Sequence, residues 1–221
     1  MLELGVKTLL AYLLGSLMGA LLVGRLKGVD IRQLGSGNAG GTNALRTQGK
    51  AFALGVVVVD VLKGWVAAAW LPGAALPGIP PDPLVAHNWL TVACSTAAIL
   101  GHVYPVWYEF RGGKGAATLI GVLAGVAPAM LAPVLLVWLV VVMLTGYVGL
   151  ATMLAAAAFP AAQGLLVVYL GHAWDDALLT FGIGMAAFVV YTHRSNLARM
   201  RAGTENRARR LWLFRPRSVT E

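Results

Sequence analysis

The chain has 221 residues, of which 58% are hydrophobic and only 12% charged, with a mean hydropathy of +0.75. Soluble domains carry roughly 25% charged residues, so a soluble globular enzyme is excluded and an integral membrane protein is expected. The net charge of +8 and pI near 10.1 would suggest nucleic acid in a soluble chain, but here they fit basic residues gathered in cytoplasmic loops. The single cysteine, Cys94, cannot form an intrachain disulfide.

Residues 4–24 form the first apolar run, long enough to cross ~30 Å of hydrocarbon at 1.5 Å per residue. It is longer than a signal-peptide core and feeds directly into a basic segment, so it reads as a retained helix. That segment, 25–50, contains Gly35-Ser36-Gly37-Asn38-Ala39-Gly40-Gly41-Thr42-Asn43-Ala44-Leu45-Arg46. Its glycines free the backbone to bring N–H groups onto one object. Ser36, Asn38, Thr42 and Asn43 add short hydrogen-bonding groups, while Arg46 and Lys50 add charge. Those parts suit a phosphate.

A second span, 51–71, holds Asp60 and Lys63 three residues apart, on one helix face. Charges inside a membrane are costly, so the pair either satisfies itself or braces a site. Residues 72–84 contain five prolines and Asp82 and predict an outer loop without a helix. The third span, about 85–104, leads through Gly101-His102 and the interfacial Trp107 and Tyr108 into Arg111-Gly112-Gly113-Lys114-Gly115, a second glycine-rich cationic turn.

Residues 115–171 are almost uncharged over 57 residues, enough for three spans of about 19, with Pro128, Pro133, Gly146 and Pro160 as breaks. A polar turn with His172, Asp175 and Asp176 precedes a last span at 177–192, and the segment from His193 onward carries eight arginines. Of the 17 Lys and Arg, 15 fall in 25–50, 106–115 and 193–217. Placing all three on the cytoplasmic side requires an even number of spans after the second. The expectation is therefore an all-α polytopic protein, seven transmembrane helices, N-terminus outside and C-terminus cytoplasmic, built as a single domain over 1–221.

Generic motifs do not survive inspection. Gly35-x-Gly37-x-x-Gly40 fits the dinucleotide fingerprint literally but lies between membrane helices, not in a strand–helix unit. The Gly112–Gly115 turn lacks the metal-binding Ser or Thr of a nucleotide loop. The four histidines are scattered and supply no three- or four-ligand metal set, and no nucleophile elbow occurs. A transporter or flippase for a phosphorylated metabolite would also need cationic loops, but it predicts polar residues near the bilayer midplane, and 115–171 is nearly bare of them.

Three segments, 25–50, 101–118 and 193–210, carry a specific resemblance. Gly-Ser-Gly-Asn-x-Gly-x-Thr-Asn-x-x-Arg at 35–46, Gly-His-x-x-Pro with Gly-Gly-Lys-Gly-x-Ala-Thr at 101–118, and His-Arg-x-Asn-x-x-Arg with Gly-x-Glu-Asn at 193–206 are similar to the signature regions of the bacterial acyl-phosphate:glycerol-3-phosphate acyltransferases, the PlsY family. Asp60-x-x-Lys63-Gly64 also resembles that family. Gly41 stands where Ala is usual, a missing methyl expected to matter little. The resemblance implies transfer of a fatty acyl group from acyl phosphate to the C1 hydroxyl of sn-glycerol 3-phosphate, without metal or other cofactor. It implies a monomer in the bacterial inner membrane, with its site on the cytoplasmic face.

By resemblance, Ser36, Arg46, Lys114, His193 and Asn196 are the expected catalytic residues. Gly37, Asn38, Thr42, Asn43, Gly112, Gly113, Gly115 and Arg194 are expected to bind substrate, the glycines by letting backbone N–H groups approach a phosphate. Asn38, Thr42 and Asn43 serve equally well as loop-shaping residues. Asp60, Lys63, His102 and Glu205 are expected to give structural support, Glu205 by pairing with an arginine. Either His193 or a substrate phosphate takes the hydroxyl proton.

Overall fold

The computed structural model describes residues 1–171 and 175–214. Among them the regular structure is helical: α1 (Leu2–Gly15), α2 (Gly19–Lys27), α3 (Gly41–Gln48), α4 (Lys50–Trp65), α5 (His87–Val103), α6 (Ala116–Val126), α7 (Leu131–Thr145), α8 (Val148–Leu170), α9 (Asp176–Thr192) and α10 (Arg194–Arg201). They form two compact units, Met1–Pro128 and Ala129–Glu221. Five helical segments are long and apolar enough to cross a membrane, or six if α9 and α10, bent by 51°, count as one. The stretch 115–171 does contain three helices, but of 11, 15 and 23 residues rather than three of equal length. Pro160 does not break α8, which runs through it. The loss of one N–H there is tolerable where neighbouring helices shield the freed carbonyl, and α9 packs Gly182 against Phe159 and Pro160.

In the first unit α1 packs on α5 and α4 on α6. With lipid as the competing solvent, apolar burial provides little drive between helices, and close backbone approach takes over. A methyl at Gly15 would strike the Ala98 backbone, and one at Gly101 the Tyr12 carbonyl. Gly64 and Gly121 lie in the same way against the Thr118 and Val61 carbonyls. Met18, Leu21, Ile31, Ala39, Ala44, Phe52 and Val56 then form a buried cluster that fastens the 28–40 loop and α3 onto α2 and α4.

The first apolar run is not one helix. It breaks at Ser16–Met18 between α1 and α2, where the chain leaves backbone groups without helical partners. The ion pair of α4 serves both sides of the break: Lys63 Nζ donates to the Leu17 carbonyl at 2.8 Å, and the Gly19 N–H donates to Asp60 Oδ1 at 3.1 Å. The two side chains meet at 2.9 Å. At the opposite end of this unit Lys7 Nζ donates to Glu3 and to the Pro72 carbonyl, both at 2.7 Å, and the Asp82 N–H donates to Glu3. Residues 74–86 carry no helix.

In the second unit α7, α8 and α9 pack in succession around Val134, Val142, Ala151, Met153, Phe159, Phe181 and Val189. Asp175 caps α9 by accepting from the Leu178 N–H at 3.0 Å, which accounts for one member of the His172–Asp176 turn; His172 lies outside the described residues.

Candidate active site

The first loop is built from the inside. Asp30 caps a short 3-10 turn, Ile31–Gln33, by accepting from the Arg32 N–H at 2.9 Å and pairing with its guanidinium at 2.8 Å. Hydrogen bonding from Arg32 holds the Asp30 carboxyl below the usual range. The turn is therefore intact above the pH at which a free aspartate protonates and weakens only as pH falls further. Gly35 and Gly37 adopt left-handed φ values of 57° and 72°. At Gly35 a side chain would also strike Asn43.

Asn43 is 1% exposed. Its amide donates to the Ile31 and Leu34 carbonyls at 3.3 and 2.9 Å, and its oxygen accepts from the Ser36 N–H at 3.0 Å. These contacts engage the side chain with the loop itself. Ser36, Gly37, Thr42 and Arg46 are exposed and Asn38 is half-buried. The first turn of α3, opening at Gly40, has amides that no preceding helical carbonyl serves.

Gly41 is not indifferent to its missing methyl. An added Cβ would lie 2.7 Å from Val57 Cγ2 on α4, and a valine in a helix has essentially one rotamer. Overpacking of about 1 kcal/mol is offset by a gain of similar size from helix propensity. Gly41→Ala is thus expected to leave stability nearly unchanged, whereas Gly41→Ala with Val57→Ala should be more stable than Val57→Ala alone. Thermal unfolding of the three variants in detergent measures this. An equal effect of the added methyl in both backgrounds would show that Val57 does not feel it.

The second loop turns back on the helix that precedes it. After α5 the chain passes through Glu109 and Phe110, both left-handed at φ 56° and 59°. The Gly112 and Gly113 N–H groups then donate to the Val103 and His102 carbonyls, each at 3.1 Å, satisfying orphan acceptors at the end of α5. This corrects the expected use of these glycines: their amides are engaged within the protein. What they supply is close approach, because a Cβ at Gly112 would strike the His102 carbonyl. One at Gly113 would strike the His102 ring and come within 2.8 Å of the Ala39 carbonyl. Gly115, at φ 85°, caps α6, so Lys114, half-buried, sits immediately before a helix N-terminus that favours negative charge.

The Gly113–Ala39 contact brings the first and second loops together in one unit. Beneath them the Asp60–Lys63 pair reaches His102, whose Nδ1 lies 3.5 Å from Asp60 Oδ1. All three are buried. No sequence signal indicated that Leu17 and Gly19 belong to this cluster, since their backbone groups, not their side chains, take part.

In the second unit His193 ends α9 and opens α10. It is buried, with Nδ1 at 2.8 Å from the Val189 carbonyl. That contact places a proton on Nδ1, because a carbonyl oxygen only accepts. Asn196 Nδ2 donates to Glu205 Oε1 at 2.7 Å, and Arg199 Nε donates to Glu205 Oε2 at 2.6 Å. Glu205 therefore joins the start and end of the third segment. Gly149 lies under Asn196, where a Cβ would come within 2.8 Å of the amide. Arg194 stacks over the Tyr191 ring at 4.4 Å and donates to the Tyr191 carbonyl.

Comparison with known proteins adds to this geometry. The family described as glycerol-3-phosphate acyltransferase matches residues 6–203. Relatives named glycerol-3-phosphate acyltransferase include one from Chlorobaculum parvum, 40% identical over an alignment 219 residues long, with coverage of 89% of this chain and 93% of the relative. Another, from Geotalea daltonii, is 39% identical over 196 residues, with coverage of 89% and 93%. Two crystal structures of PlsY (YgiH), an integral membrane glycerol 3-phosphate acyltransferase, are also similar. Its glycerol 3-phosphate form has a TM-score of 0.76 at 33% identity, covering 92% of this chain and 94% of that one. Its lysophosphatidic acid form has a TM-score of 0.74 at 32% identity, with the same coverage.

Proposed function

The chain belongs to the glycerol-3-phosphate acyltransferase family, and from that premise we propose how its residues perform the reaction. A fatty acyl group passes to the C1 hydroxyl of sn-glycerol 3-phosphate, giving 1-acylglycerol 3-phosphate, with acyl phosphate as donor and inorganic phosphate released. The observation that carries this reading is the abutment of two glycine-rich cationic loops, Gly113 on Ala39, at the ends of membrane helices. Phosphate head groups bind at such a surface while an acyl chain lies among the apolar helices.

The hydroxyl oxygen attacks the acyl carbonyl carbon, and the carbonyl carbon–phosphate oxygen bond breaks. Acyl phosphate is a mixed anhydride with a good leaving group, so orientation supplies much of the acceleration, on the order of 7–11 kcal/mol. We assign Lys114 and Arg46 to neutralising phosphate and the developing carbonyl charge. Ser36, Gly37, Asn38, Thr42 and the opening amides of α3 and α6 are assigned as further donors. We assign the hydroxyl proton to either His193 or the leaving phosphate; Asn196 and Arg194 complete the third segment's polar groups. Asn43, Gly112 and Gly113 are assigned to shaping the loops. We place the protein in the bacterial inner membrane as a monomer with seven spans, α6 being the shortest, its N-terminus outside and the three basic segments cytoplasmic.

Purified protein incubated with palmitoyl phosphate and labelled glycerol 3-phosphate is expected to form labelled lysophosphatidic acid, and palmitoyl-CoA is expected to be inert. No product from either donor in folded protein would refute the activity. Product from the thioester alone would refute the donor.

A further inference from the structure

Beyond the transfer reaction, the segment following α10 has the construction of a lipid-docking surface. Arg207 lies between two aromatic rings, 4.4 Å from Tyr147 and 4.1 Å from Trp212, and donates to the Thr145 carbonyl at 3.2 Å. The Ala208 N–H donates to the Gly146 carbonyl at 2.7 Å, and the Leu213 N–H to the Met143 carbonyl at 2.9 Å. Gly146, at φ 76°, leaves the space that Arg207 and Trp212 fill. The segment is thus fastened to the last turn of α7, which belongs to a candidate membrane span, Pro128–Thr145. The end of a span lies at the boundary between hydrocarbon and head groups, so residues 207–214 lie at that boundary too.

What the segment exposes there is amphipathic. Leu211, Leu213 and Phe214 are 43%, 61% and 68% exposed, and Arg209 and Arg210 are exposed beside them. Neither arginine has a side-chain partner among the described residues, in contrast to Arg207 and to Arg199, which pairs with Glu205. Apolar residues directly following two arginines without side-chain partners among the described residues suit a lipid leaflet bearing negative head groups better than a soluble phosphate, which would leave the apolar side chains in water.

We propose that residues 207–214 form an anionic-phospholipid docking surface, with Arg209 and Arg210 on lipid phosphates and Leu211, Leu213 and Phe214 in the upper acyl layer. Arg207 acts as the clamp that ties this surface to α7.

The test uses the full chain with Leu211→Cys labelled by an environment-sensitive fluorophore, in nanodiscs of phosphatidylcholine alone or of an equimolar mixture with phosphatidylglycerol. Emission is expected to shift to the blue in the anionic discs and to revert at high salt. Each arginine removed should lower the docked-to-free ratio about fivefold, so Arg209→Ala with Arg210→Ala should nearly erase the shift without changing acyl transfer in neutral discs. Equal emission in the two lipids, or a shift indifferent to the two arginines, would overturn the proposal. A shift produced in neutral discs by inorganic phosphate or glycerol 3-phosphate would overturn it in favour of a soluble-anion site.

Discussion

Lys114→Ala is expected to lower acyl transfer by about 100- to 1,000-fold, the usual cost of removing one group that stabilises transition-state charge, while the helices remain folded. Lys114 stands between two glycines with different tasks. Gly113 is held against Ala39 and the His102 ring, and Gly115 is turned to φ 85° to start α6. The ammonium is therefore carried on a backbone with little freedom, next to a helix N-terminus and beside the first loop. Its removal takes away a charge from a half-buried position. Arg46→Ala, at an exposed position of α3, is expected to fall within the same range.

Steady-state kinetics with palmitoyl phosphate and glycerol 3-phosphate check both variants, with size exclusion and circular dichroism reporting the fold. Near-normal turnover in either variant would remove that residue from the site. A change confined to KM would assign it to ground-state binding alone.

The second large effect concerns stability. Lys63→Met is expected to destabilise the protein by about 3–5 kcal/mol, as breaking one partner of a buried ion pair does. Two things fail together: Asp60 loses its counter-charge, and the Leu17 carbonyl loses its donor, which is one of the two caps of the break between α1 and α2. Lys63→Met combined with Asp60→Asn removes the uncompensated charge and keeps an acceptor for the Gly19 N–H. It should therefore recover part of the loss.

Unfolding midpoints in detergent decide the matter. If the single variant matches the wild type, the pair is not the cap of the break. If the double variant is as unstable as the sum of two single losses, the two groups do not act as a unit. The consequence reaches the site because α2 leads directly into the 28–40 loop, and His102 links the same cluster to Gly113.

Much of the molecule was legible from residue order. The apolar runs located the helices to within a few residues at 50–73 and 87–108, because the length needed to cross hydrocarbon is set by helix rise alone. The uncharged stretch 115–171 was harder. Its composition permits helices of any length, and Ala127–Pro128 and Gly146 interrupt it while Pro160 does not. Whether a proline ends a helix depends on whether its neighbours shelter the carbonyl it frees, and neighbours are not adjacent in sequence.

The same distinction runs through the site. Residue order alone established that the chain is a membrane protein, where its positive charge gathers, and which family its three glycine- and arginine-rich segments resemble. Each of these depends on which residues are present and in what order. Tertiary structure alone decided that Asn43 spends its amide on Ile31, Leu34 and Ser36, and that Gly112 and Gly113 give their N–H groups to the end of α5. It also decided that Gly41 faces Val57, and that the first apolar run breaks where a buried Asp–Lys pair can serve it. A polar group's task is defined by its partner, and these partners lie on other elements, some more than 40 residues away.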